Sequence, residues 1–290
     1  RQARELHSYV EKRPQANFEV LYSTRRFFHA NDSVNGREFS LFAKHQLLRY
    51  PEIQALEWIP RVSLEQRDEF EDKDDGPGVI TEPGADGQMV VAAQRDEYFP
   101  IMFIEPLVGN SRAHGFDIST NALAREAQLR AVTMGGFALT APIRLVQENG
   151  SQRGLVAYLK SNHPHTVSSM SGYGVIAGVY RMDDFVSSVM QQREDLSVNV
   201  KLKIVDISSD PVVLYQSNDA ASLDNQALAG LTWQTDYAVG GRVYRFIYLP
   251  QYGFLANVVQ WSSWLVLLAG LLFTALLGGW LLSLTGRTMR

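Results

Sequence analysis

Apolar residues recur at helical spacing in several stretches of the chain. They fall near one face over residues 1 to about 30 and again over about 36 to 49. Farther along, Ser119 or Thr120 is a suitable N-cap for an alanine-rich helix that ends near Gly135. Strand patterns separate these helices, over residues 53–62, 79–81, 89–93, 98–105, 138–147 and 154–161.

A second group of elements begins after a loop near Ser168. It comprises a strand over 173–182, a helix over 183–193, strands over 198–207 and 212–216, and two strands between 232 and 249. This order predicts an α+β protein with a long N-terminal helix in residues 1–35 and two α+β units, in residues 36–167 and 168–257.

An uncharged apolar run extends from Ser262 to Leu284. At about 1.5 Å per residue it is long enough to cross a hydrocarbon layer about 30 Å thick. Trp261, Trp264 and Trp280 lie near its ends, where indole rings favour the headgroup region. The pattern predicts a transmembrane helix within residues 258–286.

The basic residues around this run predict its orientation. Arg287 and Arg290 follow it, whereas residues 251–260 before it carry no charge. The positive-inside rule then places 287–290 at the start of a cytoplasmic part and residues 1–257 in the periplasm, outside the plasma (inner) membrane. An upstream membrane helix is expected to export this region. The N-terminal helix then leads out of the membrane. Either it forms a dimer seam or it packs into the core, and the sequence favours neither role over the other.

Composition narrows the function classes. The chain has no cysteine, which excludes thiol nucleophiles, disulfides and zinc–thiolate sites. A net charge of -4 provides no basic field for nucleic acid. His163 and His165 and the carboxylates in 71–75 are interpreted as loop residues, and no nucleotide-binding loop or serine elbow is present. We therefore expect no catalytic residue, no metal and no cofactor in this segment.

Several motifs resemble the CHASE family of receptor sensor domains, and the similarity is specific over about residues 21–159. The motifs are PEIQALEWIPRV at 51–62, RDEYFPIMFIEPL at 95–107, Gly109-Asn110, Gly115-Phe116-Asp117, REAQLRA at 125–131, Gly135-Gly136 and LTAPIRLVQE at 139–148. After residue 160 the resemblance lies only in the layout of elements.

The resemblance implies a stalk helix and two PAS-like modules, a membrane-distal one that binds a small molecule and a membrane-proximal one. It also implies a homodimer formed through the stalk helix, two flanking membrane helices and a cytoplasmic output, either a histidine kinase or a cyclic-di-GMP cyclase or phosphodiesterase. In the plant members, which are cytokinin receptors, an aspartate and a downstream leucine backbone hold a purine. The matching positions are Asp117 and Leu139.

The candidate ligand-binding residues also have structural interpretations. The Asp117 carboxylate suits an amine or a ring N–H, but aspartate is also common as a cap or turn residue. Leu139 and Thr140 lie on a strand whose backbone can serve a polar ligand edge. A flat, purine-like ring would suit an apolar pocket of aromatic residues, although such side chains are more often core; the candidates are Trp58, Phe103 and Tyr158.

Two other functions compete with small-molecule sensing. A periplasmic protein-interaction sensor would carry a large exposed apolar patch instead of a ligand pocket. A membrane-anchored hydrolase would need a catalytic constellation. The expected partners are a small molecule, a second copy of the chain and the lipid bilayer.

Overall fold

The structure is a computed structural model that describes residues 2–145, 154–163, 172–191, 200–217, 232–250 and 264–280. The helices are α1 (Gln2–Ala30), α2 (Gly36–Arg49), α3 (Arg67–Glu71), α4 (Ala122–Met134), α5 (Met182–Gln191) and α6 (264–280). The strands are β1 (Ala55–Pro60), β2 (Val62–Ser63), β3 (Thr81–Pro83), β4 (Met89–Val91), β5 (Glu97–Tyr98), β6 (Phe103–Glu105), β7 (Phe137–Leu139), β8 (Gly154–His163), β9 (Gly172–Arg181), β10 (Val200–Asp206), β11 (Val212–Gln216), β12 (Trp233–Val239) and β13 (Arg242–Pro250).

Local capping explains where α2 begins and where α4 begins and ends. Asn35 and Glu38 form a reciprocal capping box that starts α2. Asn121 caps α4 by accepting hydrogen bonds from the backbone N–H groups of the first turn, and Gly135 ends it with a positive φ of 72°. The cap therefore lies just after the predicted Thr120, which belongs to a short 3-10 turn instead.

The first sheet, here called the distal sheet, has five antiparallel strands in the order β6-β1-β9-β8-β7. Helices α1 and α2 pack against one face and α4 packs against the other. Because side chains alternate along a strand, each strand contributes to both faces. Along β1, Trp58 points to the α1 face, whereas Glu57 points to the α4 face.

The second sheet, here called the proximal sheet, has four antiparallel strands in the order β11-β10-β13-β12. The beginning of α1 packs on it, where the His7 ring makes edge contacts with Trp233, Phe246 and Tyr248. Farther along α1, Phe18 stacks on Phe137 of the distal sheet. Helix α1 thus lies along both sheets, and its buried apolar residues contribute to the core of its own chain.

The two sheets meet at the tip of the β12–β13 hairpin. Gly240 and Gly241 form the turn with positive φ values of 57° and 76°. The Gly240 carbonyl accepts hydrogen bonds from the backbone N–H of Leu139 at 2.9 Å and from the Arg130 guanidinium at 2.9 Å. A Cβ on Gly240 would lie 2.7 Å from Leu139, so glycine permits this close approach.

Strand β9 changes the division of the chain into units. A boundary at residue 168 assigns it to the second unit, but β9 pairs with β1 and β8 at the centre of the distal sheet. A division after Arg181 therefore matches the sheets better. Local periodicity cannot show this, because strand pairing is set by contacts distant in sequence. The predicted turn at 148–150, the boundary near Val167, and Arg287 and Arg290 lie outside the described residues.

Helix α6 contains the described part of the apolar run. Its large apolar side chains are exposed, with Val266 74% exposed and Phe273 65% exposed. Within the described ranges, no helix meets the length and hydropathy required of a membrane span.

Candidate functional site

A small cavity lies between the α4 face of the distal sheet and the segment that leads into α4. We call it the distal pocket. Its volume is about 40 Å³, which leaves room for about three water-sized groups. Apolar side chains form most of its wall, and four residues bring polar groups to it; the lining is Ile101, Ala113, Phe116, Ile118, Ala124, Ile143, Leu145, Val156 and Val179, with Glu57, Asn121, Arg144 and Tyr158.

The floor of the distal pocket follows from the register of three neighbouring strands. Glu57 of β1 is paired with Ala177 of β9, and Ala177 is paired with Tyr158 of β8. Two long polar side chains therefore flank one methyl group in a single row across the sheet. The facing helix presents small residues as well, with Ala124 in the pocket wall and Ala127 buried one turn beyond. Small side chains in both layers leave the cavity open.

Glu57 is the most unusual residue in the pocket. It lies on an interior strand of the sheet and is 3% exposed. Burial raises the pKa of Glu57 to about 8, because a low-dielectric environment disfavours the charged carboxylate. Burial, followed by the charge of Glu57, also raises the pKa of Tyr158 well above its usual value. At neutral pH the unliganded pocket therefore contains a largely protonated carboxyl group near a protonated phenol.

The rim of the pocket has two further polar residues. Asn121 accepts the backbone N–H groups of Leu123 and Ala124 with its side-chain oxygen, so its amide is held in place by the start of α4. Arg144 is exposed and stands beside the apolar wall formed by Ile143 and Leu145. The arrangement is a mostly apolar cavity with a few polar groups in its wall, a chemical composition that is common in small-molecule sites.

The structure does not bring all of the predicted aromatic residues together. Tyr158 lines the distal pocket. Trp58 and Phe103 lie on the opposite face of the sheet, where the Trp58 ring packs 4.5 Å from Phe28 and the Phe103 ring stacks 5.6 Å from Phe39, as measured between ring centroids. Side chains at alternate positions of a strand point to opposite faces of the sheet. Trp58 in β1 and Phe103 in β6 occupy positions that point away from the face of Tyr158.

Asp117 is fully buried, and its carboxylate has several partners within the chain. One oxygen accepts the backbone N–H groups of Phe99 and Ser119, each at 3.0 Å, and the other lies 3.4 Å from the Arg95 guanidinium. Arg95 also pairs with Glu82. The neighbours of Asp117 in sequence, Phe116 and Ile118, line the distal pocket, whereas Asp117 holds together the loop behind its wall.

Leu139 and Thr140 also have internal partners for their backbone groups. The Leu139 N–H donates to Gly240, and the Leu139 carbonyl accepts from Arg130 at 2.6 Å. The Thr140 N–H donates to the carbonyl of Val156, and the Thr140 hydroxyl oxygen accepts the Val156 N–H at 3.0 Å. These bonds attach the end of β7 to β8 and to the proximal sheet.

A second cavity lies between the two sheets. Its volume is about 60 Å³, and apolar and aromatic residues of α1, the distal sheet, α5 and the proximal sheet surround it. The hydroxyl groups of Tyr180 and Tyr244, which line it, are buried with no hydrogen-bond partner among the described residues. Within the same residues no cluster of three metal-ligating side chains occurs.

Sequence reasoning missed Glu57. The signal was an isolated acidic residue inside an otherwise apolar strand, since all six residues of β1 are buried. A carboxylate in such a strand must face a partner, a cavity or a ligand. The identity of the facing surface depends on the pairing with β9 and on the position of α4, neither of which is local in sequence.

A family model gives the clearest comparison with known proteins. The model described as the CHASE domain matches residues 32–215, which include the distal pocket and the first two strands of the proximal sheet. The chain belongs to the CHASE domain family. Like other members of this family it is a sensor domain of a signal-transduction receptor. No curated protein sequence matches the chain.

Several solved sensor domains resemble this CHASE domain at low sequence identity. The ligand-binding domain of the Pseudomonas aeruginosa PAO1 amino acid chemoreceptor PctC, in complex with GABA, is 11% identical, with 85% of this chain and 95% of that chain covered and a TM-score of 0.44. The periplasmic sensory domain of the Campylobacter jejuni chemoreceptor Tlp1 is 8% identical, with 87% and 92% covered and a TM-score of 0.48. The extracellular domain of the putative histidine kinase mmHK1S-Z3 is 12% identical, with 86% and 92% covered and a TM-score of 0.41.

Proposed function

We propose that this CHASE domain is the extracytoplasmic sensor region of a transmembrane receptor and that it binds a small molecule in the distal pocket. The observation that carries the proposal is the mostly apolar cavity that the buried residues Glu57 and Tyr158 line. An apolar cavity with few polar groups and a perturbed pKa is the usual form of a ligand site. The segment itself carries out recognition, and any enzymatic output belongs to a cytoplasmic part of the receptor.

Helix α4 offers a route from the pocket to the proximal sheet. Ala124 in its first turn lines the pocket, and Arg130 farther along donates to the carbonyl of Gly240. A ligand that favours one position of α4 also favours one position of the β12–β13 hairpin, and so shifts the population of signalling states. The ligand only has to bind the two states with different affinities.

The remaining parts of the proposal follow from the sequence. Residues 262–284 are uncharged and apolar, which supports a role as the membrane-spanning segment of a plasma-membrane receptor with residues 1–257 in the periplasm. A homodimer would align α1 of two copies through its exposed polar face, because its apolar face packs on the two sheets. A histidine kinase and a cyclic-di-GMP cyclase or phosphodiesterase are the proposed outputs.

The proposal is tested by thermal shift on the full chain in detergent, with a metabolite panel that includes purines, cytokinins, amino acids and amines. A ligand that binds the folded state raises the melting temperature by mass action. Val156→Ile combined with Val179→Ile adds one methylene to each of two paired residues of the pocket floor and should abolish the shift. The same change at the exposed Val90 and Val91 of β4 is the matched control and should preserve it.

Two results would contradict the proposal. A shift that is equal in the filled variant and the control would move the binding site away from the distal pocket. If no compound shifts the wild-type chain, the alternative of a protein-interaction sensor without a small-molecule ligand becomes the better account.

A further inference from the structure

The carboxyl group of Glu57 lacks a protein partner within the described part of the chain. No hydrogen bond or ion pair joins it to a described residue, and its raised pKa has burial as its cause, with no contribution from a neighbouring cation. Unlike Glu57, two other buried acidic groups of this domain have partners among the described residues. Glu105 accepts from the Ser40 hydroxyl at 2.6 Å and lies 4.0 Å from Lys44, and Asp206 accepts from Arg242 at 2.6 Å.

An unpaired buried carboxyl group is costly in a core strand. Deprotonation leaves an uncompensated charge, and protonation leaves a hydrogen-bonding group in mostly apolar surroundings. An apolar residue at position 57 would fit the neighbouring Ala55 and Ile59, which point to the same face of β1. The acidic side chain is therefore explained best by a partner that enters from outside the chain.

The size and charge of the pocket limit what that partner can be. About 40 Å³ admits a few heavy atoms at the carboxyl end of Glu57, which suits an ammonium group better than a guanidinium or a trimethylammonium group. Tyr158 brings a second polar group to the same cavity from β8, on the other side of Ala177, and the apolar wall can receive the carbon chain that follows the ammonium group. If the other end of the ligand carries a carboxylate, that end would point to Arg144 at the rim.

We infer that the ligand of the distal pocket carries a primary amine whose ammonium group pairs with Glu57, and that binding releases the carboxyl proton of Glu57 to the solvent. The inference rests on the proposed function and names the ligand class of that same site. In the exchange, the O–H bond of Glu57 breaks, the proton passes to a buffer base, and the protonated amine supplies the compensating positive charge. No covalent bond forms between ligand and protein.

Isothermal titration calorimetry on the full chain in detergent tests this directly. The probes are 1-aminopropane, 1-aminobutane and putrescine, each paired with the alcohol of the same length. At pH 7 we expect each amine that binds to do so at least about tenfold more tightly than its alcohol. Titrations in phosphate and in imidazole, whose protonation heats differ and neither of which is a primary amine, should report release of close to one proton per bound amine. Glu57→Gln should remove both the preference and the proton release.

Glu105→Gln is the matched control, because it neutralises a buried glutamate on the opposite face of the same sheet. It should keep the preference for amines over alcohols.

The pH dependence of amine binding to the wild-type chain tests the inference without any variant. The association constant for an amine should rise with pH up to about 8, where Glu57 ionises without ligand, and should level off above it. The other ionisable groups that line the pocket are Tyr158, whose raised pKa keeps the phenol uncharged in that interval, and Arg144.

The outcomes separate this inference from the proposed function. Equal affinity for amines and alcohols, or an amine affinity that Glu57→Gln leaves unchanged, overturns the inference. Binding of other metabolites, blocked by the Val156→Ile and Val179→Ile pair while amines fail to bind, overturns the inference and keeps the proposed function. Absence of binding by every compound overturns both.

Discussion

The backbone N–H of Leu139 donates a 2.9 Å hydrogen bond to the carbonyl oxygen of Gly240, and this bond joins the edge of the distal sheet to the hairpin tip of the proximal sheet. Arg130 bridges the same two residues by donating to both of their carbonyl groups. A conformational change of α4 must therefore move or break this junction. The contact gives the domain a physical connection between the helix that lines the distal pocket and the proximal sheet.

Removing the Arg130 bridge should weaken the junction. Arg130→Met keeps most of the aliphatic stem but leaves the carbonyl groups of Leu139 and Gly240 without the guanidinium, and we expect a loss of about 2 kcal/mol in the free energy of unfolding. Chemical denaturation measures the change. Arg125→Met, at an exposed position of the same helix, should cost less than about 0.5 kcal/mol. Equal losses in the two variants would show that the bridge has no special role.

The buried carboxyl group of Glu57 should make stability depend on pH. Its folded-state pKa of about 8 lies above the value of 4.5 for an exposed glutamate, so the folded state binds more protons between these limits. The free energy of unfolding should therefore decrease as pH rises from 4.5 to 8, by up to about 1.4 kcal/mol per pH unit, and stay level above 8. Denaturation curves of Glu57→Gln should lack this decrease, and a decrease of the same size in the variant would exclude Glu57 as its cause.

Asp117 provides a test of direct ligand contact against a structural role. Asp117→Ala leaves the N–H groups of Phe99 and Ser119 and the Arg95 guanidinium without their acceptor, and we expect a loss of about 3 kcal/mol. Asp96→Ala, at an exposed neighbouring position, is the control. If Asp117→Ala abolishes ligand binding without lowering the melting temperature, Asp117 contacts the ligand directly, as the resemblance to cytokinin receptors implies.

The membrane topology can be tested with single cysteines, because the chain has none of its own. In cells that make the full-length protein, Asp74→Cys on an exposed loop should react with a membrane-impermeant maleimide. Thr288→Cys, which follows the apolar run, should react only after permeabilisation. Labelling of both positions in intact cells would contradict a span between them.

Local signals in the sequence located the elements well and the pocket poorly. Helix α2 forms over 36–49 as predicted, because an N-cap asparagine precedes it and Pro51 follows it. The strands of the β12–β13 hairpin were also predicted. Trp58 and Phe103, proposed from the sequence to line one pocket with Tyr158, lie on the other face of the sheet, because the face that a strand residue occupies depends on a register set by distant partners. Neighbouring strand residues such as Glu57 and Trp58 point in opposite directions, but the sequence does not show which of them borders the cavity.

Amide hydrogen exchange of the full chain, with and without the compound that raises its melting temperature most, tests the position of the sensing pocket most directly. The account predicts that exchange slows in β1, β8 and the first turns of α4, which surround Glu57 and Tyr158. Protection should extend weakly to the β12–β13 hairpin through Arg130 and Gly240. Protection confined to the proximal sheet or to the cavity between the sheets, with β1 and α4 unchanged, would contradict it.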